Sequence, residues 1–347
     1  MDIGARKQKI LKAIIRAYAT TGEPVGSKAL CEHLDITLSP ATIRNEMVEL
    51  VGLGLLEQPH TSAGRIPTQL AYRYYIDQLM TETDIDPEVR RYMDSILADI
   101  SDNPDRILEE APNLLAQITR YAAAATTPAS EKALIKSIQI MPTGRRTALI
   151  ILVTSSGVLG NKLFRCDFDL TPELLRVISR ILSERVSGVP IASITPAFVQ
   201  TLAASLSDMA LLLSPVLMAV YDAVREVSES EIRLGGQFNL LSLREFGGEN
   251  AKHLFEFLEK RNELARLLSQ QRSGIHVLMG PDIGRPGPAD LSIVTAHYSL
   301  GGQNRGTIAV IGPSRMDYPA IVASLGYLAS AIGKLLSDLL GDGDWRT

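Results

Sequence analysis

The sequence predicts an α+β protein of several domains led by a winged helix-turn-helix, and three observations carry the prediction. Residues 24–67, PVGSKALCEHLDITLSPATIRNEMVELVGLGLLEQPHTSAGRIP, read as helix, tight turn, capped helix and short strand-loop-strand. Downstream, helical periodicity gives way to strand patterns, returns to helix and alternates once more, so neither an all-helix nor an all-sheet architecture fits. A length of 347 residues with 46% hydrophobic and 21% charged content supplies material for two or three buried cores.

In chain order, Ile10, Leu11, Ile14, Ile15 and Tyr18 recur at helical spacing and form the inner stripe of a first helix. Ser27 starts a shorter helix, Lys28 to Leu34, with Ala29, Leu30 and Leu34 available for packing, and Asp35-Ile36-Thr37-Leu38 is the turn the motif requires. Ser39 followed by Pro40 is a strong helix start. The hydroxyl satisfies an orphan amide, and proline at the first helical position lacks a donor that would have had no partner. From there Ile43, Met47, Leu50 and Val51 make one apolar stripe, Gly54 ends the helix, and Thr42, Arg44, Asn45 and Glu49 occupy the other side. Such a face suits a major groove, where arginine bonds guanine and asparagine bonds adenine bidentately, for roughly 1–3 kcal/mol of discrimination each. An ordinary solvated surface helix carries the same pattern. Leu55-Leu56-Glu57-Gln58 then pairs with a strand near Ile66, and the hydroxyls and Arg65 of the intervening loop reach phosphate or the minor groove.

The formal net charge of −4 speaks against bulk attraction to nucleic acid. Residues 1–80 hold 9 Lys and Arg against 8 Asp and Glu, so affinity for DNA must come from local placement of Arg44, Arg65 and Lys28 and of Arg6, Lys7, Lys9 and Lys12. Cys31 and Cys166 lie far apart without ligand spacing and read as small apolar residues of a reduced protein. The N-terminus lacks an apolar signal core, and the run Ala210 to Val220 is interrupted by Ser214-Pro215 and is too short to span a bilayer, so a cytoplasmic protein without a membrane partner is expected.

The stretches TGEPVGSKAL, LSPATIRNEMVELVGLGLLEQPHTSAGRIPT and AYRYYID, with GGQFNLL and GPSRMDYPAIVASLGYLA further on, resemble the HrcA family of bacterial heat-shock repressors. The match is close in the N-terminal segment and looser over the rest. The resemblance implies a homodimeric repressor of double-stranded DNA that binds an inverted repeat, the CIRCE operator, ahead of chaperone operons. It also implies dependence on a GroEL-type chaperonin. Within it, Arg44 and Asn45, helped by Thr42, are expected to contact bases, and Ser39, His60, Thr61, Ser62 and Arg65 to contact the backbone. Ser27, Lys28 and Ala41 complete the expected DNA-facing set.

After the wing, Thr68 caps a helix carrying Leu70, Tyr74, Tyr75, Ile76 and Leu79, with Arg73 between aromatics; it either stacks on nucleic acid or docks the head onto the body. Thr81 to Asp86 reads as a polar linker that lets the head change its angle. Helices are expected at Glu88–Ile100 and Pro104–Ala125, strands at Leu134–Met141, Thr147–Thr154 and Val158–Arg165, and helices at Glu173–Val186, Pro196–Leu213 and Pro215–Ser228. This block resembles the inserted dimerisation domain of the family, and Ala210-Leu211-Leu212-Leu213 suits either a subunit interface or an internal core. A long helix from Glu249, strands at Ile275–Met279, Leu291–Tyr298 and Gly306–Ile311 and a last helix at Pro319–Leu340 fit a GAF-like α+β domain. The expected domains are thus a winged helix-turn-helix at 1–80, a linker at 81–87, a GAF-like domain at 88–130 and 246–347, and an inserted dimerisation domain at 131–245.

Neither a catalytic constellation nor a cofactor motif stands out. The loop from Gly280 to Pro288 is glycine-rich, but its prolines remove amide donors, and GxxxxGK[ST] does not occur. The five histidines lack metal-ligand spacing. Arg315, Asp317 and Tyr318 of PSRMDYP read as a turn ordering the start of the last helix. Two function classes follow: a dimeric repressor, or a metabolite-sensing transcription regulator with a small-molecule site in the GAF-like domain.

Overall fold

Patterns of this kind fold as expected in the head. The computed structural model describes residues 3–33, 38–61, 63–127, 133–155, 158–206, 209–228, 231–270, 274–284, 290–300 and 304–341. Helix α1 (Ala5–Thr21) buries Ile10, Leu11, Ile14 and Ile15. Helix α2 (Ser27–His33) contributes Leu30, and α3 (Pro40–Gly52) contributes Ile43, Met47 and Leu50. Strands β1 (Leu56–Glu57) and β2 (Ile66–Pro67) pair antiparallel as Leu56 with Pro67 and Glu57 with Ile66. Two packing residues differ from expectation. Ala29 and Val51 face solvent, because three residues of α3 already fill the narrow seam against α1 and α2. Leu34 and the expected turn at 35–37 lie outside the described residues.

Helix α4 (Gln69–Tyr74) begins with Thr68 Oγ1 accepting from the Ala71 amide and passes into a π-helical turn at Tyr75–Leu79. Residues 81–86 follow without regular structure. Helices α5 (Pro87–Ile100) and α6 (Pro104–Thr119) repeat one starting device, with Asp86 and Asn103 accepting first-turn amides ahead of a proline. The second ends earlier than its alanine-rich sequence suggests. Arg120 turns into the left-handed region at φ 62°, and Ala122–Thr126 becomes strand β3, every residue of it buried. Helix propensity of alanine amounts to tenths of a kcal/mol per residue, which burial in a sheet readily outweighs.

The chain divides into two compact units. The first comprises Met1–Ala125, Arg233–Tyr298 and Thr307–Leu335; the second is built on Thr126–Ile232. Within the first, β7 (Ile232–Gly235), β8 (Ile275–Met279), β9 (Leu291–Leu300) and β10 (Asn304–Pro313) join β3 in a five-stranded sheet of order β7-β3-β10-β9-β8. Thr307 to Ile311 are buried in an unbroken run, the mark of a strand covered on both faces. Helices α10 (Glu249–Glu259) and α11 (Arg261–Ser269) form a broken pair at Lys260 where one long helix was expected. The last helix, α12 (Tyr318–Gly341), is long and apolar enough to cross a bilayer by composition, yet Ile321, Leu325, Leu328, Ile332 and Leu336 are buried within the protein. Residues 232–245, expected in the insertion, instead give β7 and a run of 3₁₀ turns at Gln237–Ser242 and Arg244–Phe246. Asn239 of that run donates to the Ala116 and Tyr121 carbonyls at the end of α6.

The second unit sits between β3 and β7 in sequence. It contains the antiparallel sheet β4-β5-β6 (Ile135–Pro142, Thr147–Thr154, Leu159–Arg165) and helices α7 (Pro172–Val186), α8 (Pro196–Ser205) and α9 (Ala210–Ser228). The break between α8 and α9 falls earlier than expected, and α9 runs through Pro215. Ala148, Ile150 and Leu152 point to the core, with α7 against β4 and α9 against β5 and β6. Opposite them the register lines up Met141, Leu149 and Leu163 in one row, and Val153 and Leu159 in another. Leu159, Leu163 and Met141 remain 65%, 62% and 50% exposed, an apolar sheet face turned to solvent. Of the expected interface run at 210–213, Leu213 is buried in the unit's own core, and the side chains of 211 and 212 lie outside the description.

Gly236 tests the fold of the first unit. It adopts φ 63°, and a Cβ there would stand 2.3 Å from that of Ala116. Gly236→Ala is expected to destabilise the protein by about 2 kcal/mol or more. The urea midpoint measures this, and an unchanged midpoint would show that the run moves freely off α6.

Candidate nucleic-acid interface

Side chains on α3 are set in phase by its cap. Ser39 Oγ accepts from the Thr42 amide at 3.1 Å and lies 2.9 Å from the Thr42 hydroxyl, so these two residues bond each other at the helix start. With Ile43, Met47 and Leu50 inward, Ala41, Arg44, Asn45 and Val48 form an exposed strip at i, i+3, i+4 and i+7. Val48, 55% exposed, did not figure in the sequence-based set. Its signal was an apolar side chain off the inner stripe, and a methyl-bearing residue there fits the thymine methyl group. The helix ends with Gly54 at φ 74°, its amide bonded to the Val51 carbonyl.

Glu49, expected on the groove face, belongs to a different network. Lys7 of α1 bonds Glu49 at 2.8 Å and Glu46 at 3.1 Å, and Arg6 reaches Glu46 at 3.3 Å. Hydrogen bonds to Glu49 and then Glu46 hold the Lys7 ammonium above the ordinary lysine range. These N-terminal cations therefore tie α1 to α3. Lys12 points its ammonium to the Leu79 carbonyl at 3.4 Å, and burial lowers its pKa. In the head, Lys9, Arg16, Lys28 and Arg44 are exposed cations without an ion pair among the described residues.

Wing residues divide in the same way. His60 and Thr61 are exposed, Gln58 Nε2 braces the loop by donating to the Thr61 and Ala63 carbonyls at 2.8 and 3.2 Å, and Ser62 lies outside the described residues. Arg65 is not at the tip. Its backbone exchanges two 2.9 Å hydrogen bonds with Val25, and its half-buried guanidinium turns back toward the Ala63 and Gly64 carbonyls. Ser27 is buried at the start of α2, whereas Lys28 beside it faces solvent. Arg73 is directed away from any DNA face: it donates to the Val277 carbonyl at 3.0 Å and pairs with Asp282. Helix α4 thus docks the head on the body.

A capped helix with an exposed Arg-Asn strip, two supporting helices and a two-stranded wing define a winged-helix DNA-binding protein. Residues 2–81 match the family model of the winged helix-turn-helix transcription repressor, HrcA DNA-binding, and residues 105–322 that of the HrcA protein C terminal domain. Heat-inducible transcription repressors HrcA of Symbiobacterium thermophilum and Acetivibrio thermocellus are 36% and 32% identical, with 96% and 98% of this chain and 98% of each relative covered. A crystal structure described as a hypothetical protein at 2.2 Å resolution shares the fold, with a TM-score of 0.62 and 23% identity over 97% of this chain and 100% of that one. The chain belongs to the HrcA family of heat-inducible transcription repressors.

Removing the cap isolates its part in this interface. Ser39→Ala is expected to cost about 1 kcal/mol and so to speed exchange of the first-turn amides of α3 roughly fivefold. Hydrogen exchange on the free protein checks this; equal rates would mean that Pro40 and the turn alone hold the helix start.

Proposed function

We propose that the protein represses chaperone operons in the cytoplasm by binding an inverted-repeat operator, the CIRCE element, as a dimer kept active by a GroEL-type chaperonin. The observation that carries the DNA reading is the strip of Ala41, Arg44, Asn45 and Val48 on α3. Arg44 and Asn45 contact bases there, and Lys28, Ser39, His60 and Thr61 stand where phosphate contacts fit. Thr42 and Ser39 act mainly through the helix start. The dimer reading is supported by the outer face of β4-β5-β6, where Met141, Leu149, Leu159 and Leu163 leave an apolar surface that two copies cover symmetrically. The chaperonin rests on family membership.

A second reading has one observation behind it. A half-open cleft of about 570 Å³, lined by Arg16, Tyr75, Tyr121 and Asp317 among others, lies between the winged helix and the sheet domain. A small molecule seated there would make the protein a ligand-responsive regulator, and native mass spectrometry of protein purified from its host would reveal a stoichiometric adduct.

Footprinting on DNA carrying the chaperone-operon inverted repeat, at two salt concentrations, tests the first reading. Protection of both half-sites that weakens with salt is the expected result. Arg44→Ala should lose about 1–3 kcal/mol of specific binding and relax one base preference, whereas Lys28→Ala should weaken all sequences alike and lower the salt slope by about one. An unaltered base preference removes Arg44 from the readers.

For the dimer, Leu163→Asp should yield folded monomer in sedimentation runs. A persisting dimer moves the interface elsewhere. Adding chaperonin and ATP should raise the DNA-binding fraction, and no gain counts against that arm.

A further inference from the structure

The PSRMDYP motif supplies a side chain that reaches well beyond the turn it was expected to order. Arg315 has a side-chain exposure of 15% and grips Glu245, itself 17% exposed, through Nε and, at 3.3 Å, through Nη2. Its third nitrogen, Nη1, donates to the backbone carbonyl of Ala19 at 3.4 Å. Ala19 lies in the last turn of α1, where carbonyls have no acceptor role left within the helix. That turn holds no basic residue of its own. The sheet domain thereby provides the cation that suits the negative end of the head's longest helix.

The approach is close. A Cβ on Gly22, which ends α1, would come within 3.2 Å of Arg315 Cζ. Next to Glu245, Arg244 reaches Glu23 at 2.6 Å, although both side chains are exposed and add little. At the other end of α1, Lys7 is bonded to Glu46 and Glu49 of α3. One helix therefore links the sheet domain to the DNA-facing strip.

The geometry points to Arg315, braced by Glu245, as a positioning residue for DNA reading. It sets the direction in which α1, and with it α3, is presented. The inference rests on the dimeric operator reading above. Two heads held in a fixed setting gain the avidity of a full inverted repeat, and loosened heads keep their affinity for a single half-site but lose that gain.

Full-length Arg315→Gln and Arg315→Lys are compared with the wild type in two measurements: hydrogen exchange on the free protein, and binding to duplexes carrying either the whole repeat or one half-site. With Arg315→Gln, exchange should quicken in residues 17–25 and stay unchanged in β9 and β10. The ratio of whole-repeat to half-site affinity should fall about tenfold or more, at constant half-site affinity. Arg315→Lys, which keeps a cation at the helix end, should restore part of the protection. Unchanged exchange with an unchanged ratio overturns the inference. So does faster exchange throughout with an equal loss on both duplexes, which would assign Arg315 to general stability. If the wild type binds neither duplex, the operator reading fails, and the exchange comparison alone decides whether Arg315 holds α1.

Discussion

Burial of Tyr72 and Tyr75 after the wing joins the head to the body, while Tyr74 turns back to Gln8 of α1. Tyr72 and Tyr75 are each 2% exposed and Tyr74 is 9% exposed, and the Tyr72 ring meets that of Tyr318, at the start of α12, with centroids 6.0 Å apart. An aromatic side chain buries about 150–250 Å² of surface, so this short segment supplies more contact than the exposed linker that follows it. Burial pushes the Tyr72 hydroxyl far above its ordinary pKa, leaving it neutral under any working condition. Tyr72 and Tyr75, three positions apart, share one helical face, and the π turn begins only at Tyr75. Thr68 completes the arrangement at the other end, capping α4 and donating to the Gly54 carbonyl at 2.7 Å. The wing and the docking segment are therefore one continuous construction, and the polar stretch at 81–86 connects parts already fastened elsewhere.

Much of this was legible because buried faces repeat. The inner stripes of α1 and α3, the caps at Ser39 and Thr68, and the alternating strands β4, β5 and β6 follow from local sequence, and so does the outward placement of Arg44 and Asn45, since a cap plus a stripe sets the helical phase. What escaped depends on residues distant in sequence. Ala122–Ala125 reads as helix until strands on both sides claim it. Arg65 reads as a loop tip until its bridge to Val25 places it at the base of the wing. Glu49 reads as a groove contact until Lys7, more than forty positions earlier, takes it. Arg315 is the extreme case, because its partners Ala19 and Glu245 lie 296 and 70 positions away.

Charge placement follows the same logic. Part of the basic content of the head is engaged internally: Lys7 and Arg6 hold α1 to α3, Arg73 holds α4 to the sheet domain, and Lys12 bonds the Leu79 carbonyl at the end of the π turn. Electrostatic attraction for phosphate scales with the number of cations that remain free to displace counterions. Lys9, Arg16, Lys28 and Arg44 are few for this purpose. Rigidity and affinity compete for the same residues, and the head has placed several of them in rigidity.

A head of that kind, taken singly, is a weak ligand for DNA, and under the proposed dimer its useful affinity arises from pairing. Linking two sites turns the second contact into an intramolecular one, a gain of about 10²–10⁴ without any new interaction. Operator occupancy then depends on dimer, which varies with the square of folded monomer at low concentration. A modest fall in the folded fraction is amplified at the operator. The apolar outer face at Leu159 and Leu163 sharpens this dependence, since an unpaired copy exposes a surface that favours association with other apolar surfaces over free monomer in solution. A repressor built in this way responds steeply to the supply of folded protein even when each head keeps the same intrinsic grip on DNA.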